Sequence, residues 1–474
     1  MRTGLALACA LVAACNGSPG SGDDTAGPDA EVPTPGVPGP PGCGFDSAAF
    51  CDPFDGPSTS NGRARELDAA LWSGGRASPG LPSADGNAVA IGKATLPPCR
   101  VGLPARVLPE QDTLICDSIN AVKSNHLLVA AAAQNYGQSS YRIRRPFDFA
   151  GRTGTITFDA TALPTALQGW ISVAITKEPT SVPSYLKVQN EENGALPRNA
   201  LEVHFLQNCQ VADMVSVLYI ISYDDFQQTI HTVEGAERHC ISAKAGQLNR
   251  FQIKLSKDHV AIYGSPVSDD GVTFAPVELL AETDVALPFT RGYVHLTTHN
   301  HATLKYSNDT VDAWVTRWDN VGFDGPMLGG WREYEVPDSL TMAATGDKQN
   351  IGYRLDDLTA RGWSAPLSFA GVDPSGATKA QIALVTWMHL EWGTPSQFVL
   401  NYRINGGPPH AAHIPASQLA LISAMPVSGT LPLVLDVDVS ELHAGPNTIQ
   451  LATTDVPTSY PPVVYNLDLV LETP

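Results

Sequence analysis

The sequence predicts an all-β protein of two antiparallel sandwiches in series, and three observations point there. Short runs rich in Val, Ile, Thr, Tyr and Phe recur through most of the 474 residues. Many alternate apolar and polar residues with period two, the spacing of a strand with one face buried. Turn formers, including 41 glycines and 38 prolines, separate nearly all of these runs. At 43% hydrophobic and 16% charged, the chain carries enough apolar side chains for sizeable cores. Its length suits two or three domains at roughly 100–200 residues each.

Arg2 is followed by an apolar run from Leu5 to Ala14, and the stretch ends Leu11-Val12-Ala13-Ala14-Cys15. A basic start, a short apolar run and small residues at the cut describe a secretory signal over residues 1–14. The run is too short to cross a bilayer, which takes ~20 apolar residues. The small pair followed by cysteine resembles the lipobox of bacterial lipoproteins. That resemblance implies cleavage before Cys15, acylation of Cys15, and a membrane partner held through the lipid anchor. It places the body in the bacterial cell envelope. Asn16 stands where some bacteria use an acidic residue to retain lipoproteins on the inner membrane, so the expectation is the outer membrane or cell surface. Residues 15–42 then read as a lipidated cysteine and a disordered linker. They are polar, rich in proline and glycine, and too poor in apolar side chains to offset the entropy of ordering.

Cysteine usage fits export. Beyond Cys9 and Cys15, six remain: Cys43, Cys51, Cys99, Cys116, Cys209 and Cys240. An even count in an oxidising compartment predicts three disulfides. The expected pairs are sequence neighbours, Cys43–Cys51, Cys99–Cys116 and Cys209–Cys240, with other pairings open. Zinc spacing is absent from the sequence. The formal net charge of −19 is spread over both halves. Such a surface repels phosphate backbones, so no nucleic-acid partner is expected.

The first folded unit is expected over residues 43–327. Its predicted strands include His126–Ala133, Tyr141–Arg145, Thr153–Phe158, Trp170–Lys177, Leu201–Leu206 and Val215–Ser222. A hairpin is expected from Phe251–Leu255 and Val260–Tyr263 around Lys257-Asp258, followed by Arg291–Thr298 and Trp314–Phe323. Only Asn61–Leu71 has a helical look. The unit opens Asp52-Pro53-Phe54-Asp55-Gly56 and closes Arg317-Trp318-Asp319-Asn320-Val321-Gly322-Phe323-Asp324-Gly325. Together with the hairpin, these motifs resemble a concanavalin A-like lectin/glucanase sandwich. The resemblance implies that the first and last strands lie side by side and that a bent sheet offers a face to sugars.

The second unit is expected over residues 328–474, after Gly325-Pro326. Its predicted strands are Trp331–Val336, Leu367–Phe369, Gln381–Glu391, Gln397–Ile404, Leu431–Val439, Asn447–Leu451 and Val463–Leu471. The last alternates throughout, and Asn405-Gly406-Gly407 reads as a tight hairpin turn. Leu442-His443-Ala444-Gly445-Pro446-Asn447-Thr448-Ile449 resembles a turn of galactose-binding-like jelly rolls. That resemblance implies a smaller jelly-roll sandwich as an accessory module.

Catalytic glucanases of the resembled superfamily carry two carboxylates on alternate residues of one strand. In Leu201-Glu202-Val203-His204-Phe205-Leu206, alternation puts Glu202, His204 and Leu206 on one face. Only one is acidic, so the pair of acids that hydrolysis takes is missing, although a Glu–His pair can do acid/base work. Tyr293, His295 and Thr297 share another strand face, with His299 and His301 expected in the loop beyond. Trp170 is a candidate stacking platform for a sugar. Arg142, Arg144, Glu202, His204 and His295 are its candidate hydrogen-bonding neighbours. By the glucanase resemblance Asp319, with Asp55, implies a structural calcium ion; no other cofactor is expected. The expectation from sequence is therefore a surface-anchored lipoprotein that binds carbohydrate, a polysaccharide being the candidate ligand, without cutting it. Two alternatives stand beside it: a glycan-active hydrolase or lyase using Glu202 and His204, and a structural or adhesive envelope protein.

Overall fold

Period-two patterning here produces sheets almost without helix. The structure, a computed structural model, describes residues 43–45, 48–54, 63–64, 66–77, 93–96, 106–108, 111–116, 126–131, 137–162, 169–180, 198–209, 211–225, 227–231, 239–242, 248–265, 274–300, 310–312, 314–336, 353–354, 362–389, 399–413, 428–454 and 463–474. The expected signal, Cys15 and the whole expected linker up to residue 42 lie outside them. Among the described residues the one helix is a 3-10 turn at Val439–Glu441. No helix among them is long and apolar enough to cross a membrane.

Two large sheets enclose the first core. One runs in the order Glu278–Asp284, His259–Ser265, Asn249–Leu255, Gly154–Ala162, Trp314–Phe323, His126–Ala131, Gln111–Cys116. Phe50–Asp52 pairs antiparallel with the end of Trp314–Phe323, Phe50 opposite Phe323. The first and last strands of the unit are therefore neighbours. Gly322 permits this closure, because a Cβ there would sit 2.6 Å from Cys43 Cβ. Cys43 and Cys51 form the expected disulfide. Cys240 is also disulfide-bonded. The other two expected pairings rest on side chains outside the described residues.

The second large sheet has nine strands. Its main order is Gln227–His231, Val211–Asp224, Ala200–Cys209, Gly169–Thr176, Arg291–Asn300, Gly137–Ile143, Trp72–Ala77. Alternate residues of both sheets meet in one apolar layer. Phe158, Phe205, Phe251 and Trp318 pack ring against ring at its centre. The expected helix at Asn61–Leu71 is a run of turns over its described residues. Asp68 Oδ1 accepts the Ala70 amide, and the Asp68 carbonyl accepts from Leu71 and Trp72. A short side chain that bonds nearby backbone offers an alternative to the helical ladder.

Beyond residue 330 a five-stranded and a four-stranded sheet enclose a second core, with Ile382, Leu400, Ile449, Leu467 and Leu469 among its members. Asn405 and Gly406 both have positive φ, and Gly407 N donates to the Ile404 carbonyl. This is the mirror-image turn that suits a right-twisted hairpin. The last strand, Val463–Glu472, does not alternate throughout. Asn466 is left-handed, the pairing register shifts beside it, and Val464 joins Leu467, Leu469 and Leu471 in the core. The described residues belong to one compact unit that contains both cores.

Candidate functional site

The site is built by strand alternation on the nine-stranded sheet. Leu201, Val203 and Phe205 enter the apolar core, so Glu202 and His204 occupy the opposite face. Pairing places Ser172 opposite His204 and Thr297, and Ala174 opposite Glu202 and His295. The next strand adds Ser140 and Arg142 to the same face. His299 belongs to this face too, because the strand continues to Asn300 rather than ending before it. Arg142, Glu202, His204, His295 and His299 are 0% exposed as residues. A polar layer is thus closed off from water where a solvated sheet face is the usual arrangement.

Among the described residues Glu202 is the one acid of the first cluster. Ser172 Oγ donates to Glu202 Oε1 at 2.8 Å and lies 2.9 Å from His299 Nε2. With the hydroxyl proton directed to the carboxylate, His299 Nε2 is the donor to Ser172. His204 Nε2 lies 3.1 Å, and His299 Nε2 3.6 Å, from Glu202 Oε1. The two imidazoles are nearly parallel at 5.7 Å, with Tyr219 edge-on to His204. Burial alone would raise the Glu202 carboxyl. The charge and hydrogen bond of His204, then those of His299, outweigh it and hold Glu202 well below the usual carboxylate range. The serine, histidine and acid do not form a hydrolytic triad. Such a triad needs acid and serine on opposite ring nitrogens, and here both meet His299 through Nε2.

His295 forms a second cluster. Thr176 Oγ1 donates to the Glu178 carbonyl and lies 2.9 Å from His295 Nε2, so this nitrogen carries the proton. Ser140 Oγ lies 3.4 Å from the other ring nitrogen. Burial, helped by the Arg142 charge, holds His295 well below its ordinary value despite Glu202. The ring is therefore neutral.

The arginines expected on this face turn elsewhere. Arg142 Nη2 donates to Glu333 at 2.7 Å, and its guanidinium lies over the Tyr293 ring at 4.9 Å. Arg144 donates to Glu335 at 3.1 Å and to the Glu333 carbonyl at 2.7 Å. Arg63, which nothing in the sequence singled out, pairs with Asp468 and donates to the carbonyls of Gly74, Val336 and Leu467. Glu333, Glu335 and Asp468 lie close enough together to suggest a metal, but three guanidinium groups already balance them. Trp170 pairs opposite His299 in the backbone, and its side chain is outside the described residues.

Asp319 lies opposite Asp159 and accepts the Asn320 amide at 2.8 Å. Arg250 grips Asp159 through Nε and Nη2 at 2.8 and 2.9 Å. Calcium takes six to eight oxygens. The described residues bring two carboxylates together here, Asp159 and Asp319, with the Arg250 guanidinium on Asp159, so further oxygens have to come from beyond them. Asp55 lies outside them.

Ser172 and His299 were not picked out from sequence as members of the Glu202 cluster. Extending the strand Arg291–Thr298 by one position finds His299; Ser172 already shares a strand face with Trp170 by period two, and what the sequence lacks is the pairing that sets it against His204. No protein-family model matches the chain, and no curated protein matches it in sequence. Among solved structures it is similar to a glycosyl hydrolase family protein from Mycobacterium fortuitum, at 12% identity over 58% of this chain and 99% of that one, TM-score 0.32. It is similar to a Bacillus licheniformis beta-glucanase at 11%, over 59% and 99%, TM-score 0.29. It is also similar to carbohydrate-binding module CBM66 from Bacillus subtilis at 11%, over 45% and 95%, TM-score 0.25. Likenesses of this size carry nothing about ligand or activity, and the all-β sandwich class stands on the sheets and registers above.

Proposed function

We propose that this is an envelope-anchored lipoprotein, with a signal over residues 1–14, an acylated Cys15 and sandwich domains at 43–327 and 328–474. In this reading it binds carbohydrate on the polar face of its nine-stranded sheet without cutting it. The observation that carries the reading is the convergence of Ser172, Glu202, His204 and His299. Carboxylate, imidazole and hydroxyl groups are the donors and acceptors that meet sugar hydroxyls. These groups are bonded to one another and closed off from water, so a sugar has to gain access to the face as well as exchange those bonds for its own. The described residues supply one acid to the cluster, where glycoside hydrolysis takes two carboxylates.

The 3.1 Å contact between Glu202 and His204 favours a second reading, an acid/base pair acting on a glycan. One experiment separates the readings. The mature protein is run over immobilised glycans beside Glu202→Gln and His204→Ala, and new reducing or unsaturated ends are measured. Retention of the native chain, weakened about tenfold in Glu202→Gln and without new ends, supports binding. New ends that vanish in Glu202→Gln establish the enzyme. Absence of retention on every glycan overturns both and leaves the adhesive or structural role. A structural calcium at Asp319 requires oxygens from beyond the described residues, Asp55 first. A Tm that falls with EGTA and recovers with calcium supports the ion, and an unchanged Tm removes it.

A further inference from the structure

We propose that the outer face of the four-stranded sheet in the second sandwich is a separate binding site for an acidic polysaccharide, with Arg403 receiving a sugar carboxylate beside Trp363. The inference stands apart from the Glu202 cluster and does not depend on it.

Tyr402 and Ile404 enter the second core, so Arg403 faces outward between them. Its guanidinium lies over the Trp363 ring at 4.7 Å. Its Nε donates to Gln450 Oε1 at 2.9 Å, directly across the strand pair. Gln450 Nε2 in turn donates to the Ser364 carbonyl at 2.7 Å. Ser364 is itself stitched to Leu451, its amide donating to the Leu451 carbonyl and its hydroxyl accepting the Leu451 amide, both at 2.9 Å. The tryptophan and the arginine are therefore held from both sides before any ligand arrives, which reduces the ordering cost of binding.

What the guanidinium lacks is an acid. Among the described residues Gln450 is its hydrogen-bond acceptor and no carboxylate forms an ion pair with it. Among the described residues neither terminal nitrogen, the fork that fits a carboxylate with two parallel bonds, has a hydrogen-bond partner. This occurs in a chain with 48 acidic residues against 29 lysines and arginines. Around the arginine, Arg403, Trp363 and Gln450 are half-buried. Asn401, Thr454 and His413 follow on the same face by register. An antiparallel face whose described residues present amide and hydroxyl side chains, an aromatic ring and a fixed cation suits an extended polymer of carboxylated sugars. Tryptophan supplies the contact for apolar ring faces.

The overall charge makes the test sharp. A net charge of −19 repels polyanions, so retention by one has to come from a local site. The mature chain is run by affinity electrophoresis through gels containing polygalacturonate, neutral dextran or polyglutamate. The expected result is retardation by polygalacturonate alone. Arg403→Gln and Trp363→Ala, each checked by thermal unfolding, weaken it about tenfold or more. Glu202→Gln leaves it unchanged. The proposal is overturned by absence of retardation in polygalacturonate, by equal retardation in polyglutamate (which points to an acidic peptide), or by retardation that survives Arg403→Gln. Loss in Glu202→Gln also overturns it, because the ligand then belongs to the other sheet. Neutral-glycan retention that depends on Glu202 and not on Arg403 concerns the first site alone.

Discussion

Arg142 and Glu333 are 191 residues apart in sequence and joined by a 2.7 Å charged hydrogen bond with neither side chain open to water. Arg142 belongs to the sheet of the first core, and Glu333 to an edge strand over the second. Arg144–Glu335 and Arg63–Asp468 repeat the arrangement beside it. Each arginine comes from the first sandwich and each carboxylate from the second. The junction is thus an ionic seam rather than an apolar one. Arg63 stays charged because Asp468, Glu335 and Glu333 together outweigh the burial that would lower it.

Breaking a buried pair from one side strands a charge, which costs about 3–5 kcal/mol, whereas replacing both partners by apolar residues is often near neutral. Arg142→Ala alone is therefore expected to lose about that much in urea unfolding of the full chain. The double variant Arg142→Met with Glu333→Leu is expected to recover most of it. Single variants that cost less than about 1 kcal/mol, the range of exposed pairs, would show that the seam is not an energetic tie.

The seam also marks where sequence reading stops. Period two reveals which strand residues share a face, so Glu202 with His204 and Tyr293 with His295 could be read directly. The tight turn at Asn405-Gly406 was legible because only certain residues accept positive φ at both positions. The neighbouring first and last strands came from motif resemblance. The partner of a long-range charge has no local signal. Arg142 and Arg144 read as ligand groups on an open face because nothing nearby in sequence reveals Glu333 and Glu335. The closing of that face was hidden for the same reason. At Asn466 the alternation misled: a left-handed residue resets the face, so Val464 is core although the pattern sets it opposite Leu467.

Acid should unfold the protein in two stages. The neutral, buried His295 binds its proton less readily folded than unfolded, where its ordinary value is 6.5. Its contribution is fully present above that value and is lost as pH falls below it. Glu202 is likewise held below its ordinary 4.5, so its contribution is present above that and is lost at lower pH. The urea midpoint measured from pH 8 to pH 3 is expected to decline below about 6.5 and more steeply below about 4.5. His295→Gln should flatten the first stage and Glu202→Gln the second. Profiles parallel to the native one in both variants would show that neither group controls the acid limb.

Asn447 offers the sharpest local test. It is fully buried and holds the turn that enters strand Gly445–Thr454. Its side chain accepts from the His443 amide at 3.1 Å and from Asn405 Nδ2 at 2.8 Å. It donates to the carbonyls of His443 and Gly445 at 2.7 and 3.1 Å. The amide supplies two donors and a carbonyl acceptor at once. Asn447→Ala removes the partner of the His443 amide and of the His443 and Gly445 carbonyls, each costing roughly 1–3 kcal/mol where water does not replace the amide. A loss of about 2–4 kcal/mol in thermal or urea unfolding is expected on that scale. Asn447→Asp keeps the acceptor, cannot donate, and should fall between alanine and the native residue. Since Asn405 lies two residues beyond Arg403, loosening this turn should also weaken polygalacturonate retardation. An alanine variant within about 0.5 kcal/mol of native stability, the range of ordinary surface changes, would mean that water serves the turn as well as the amide does.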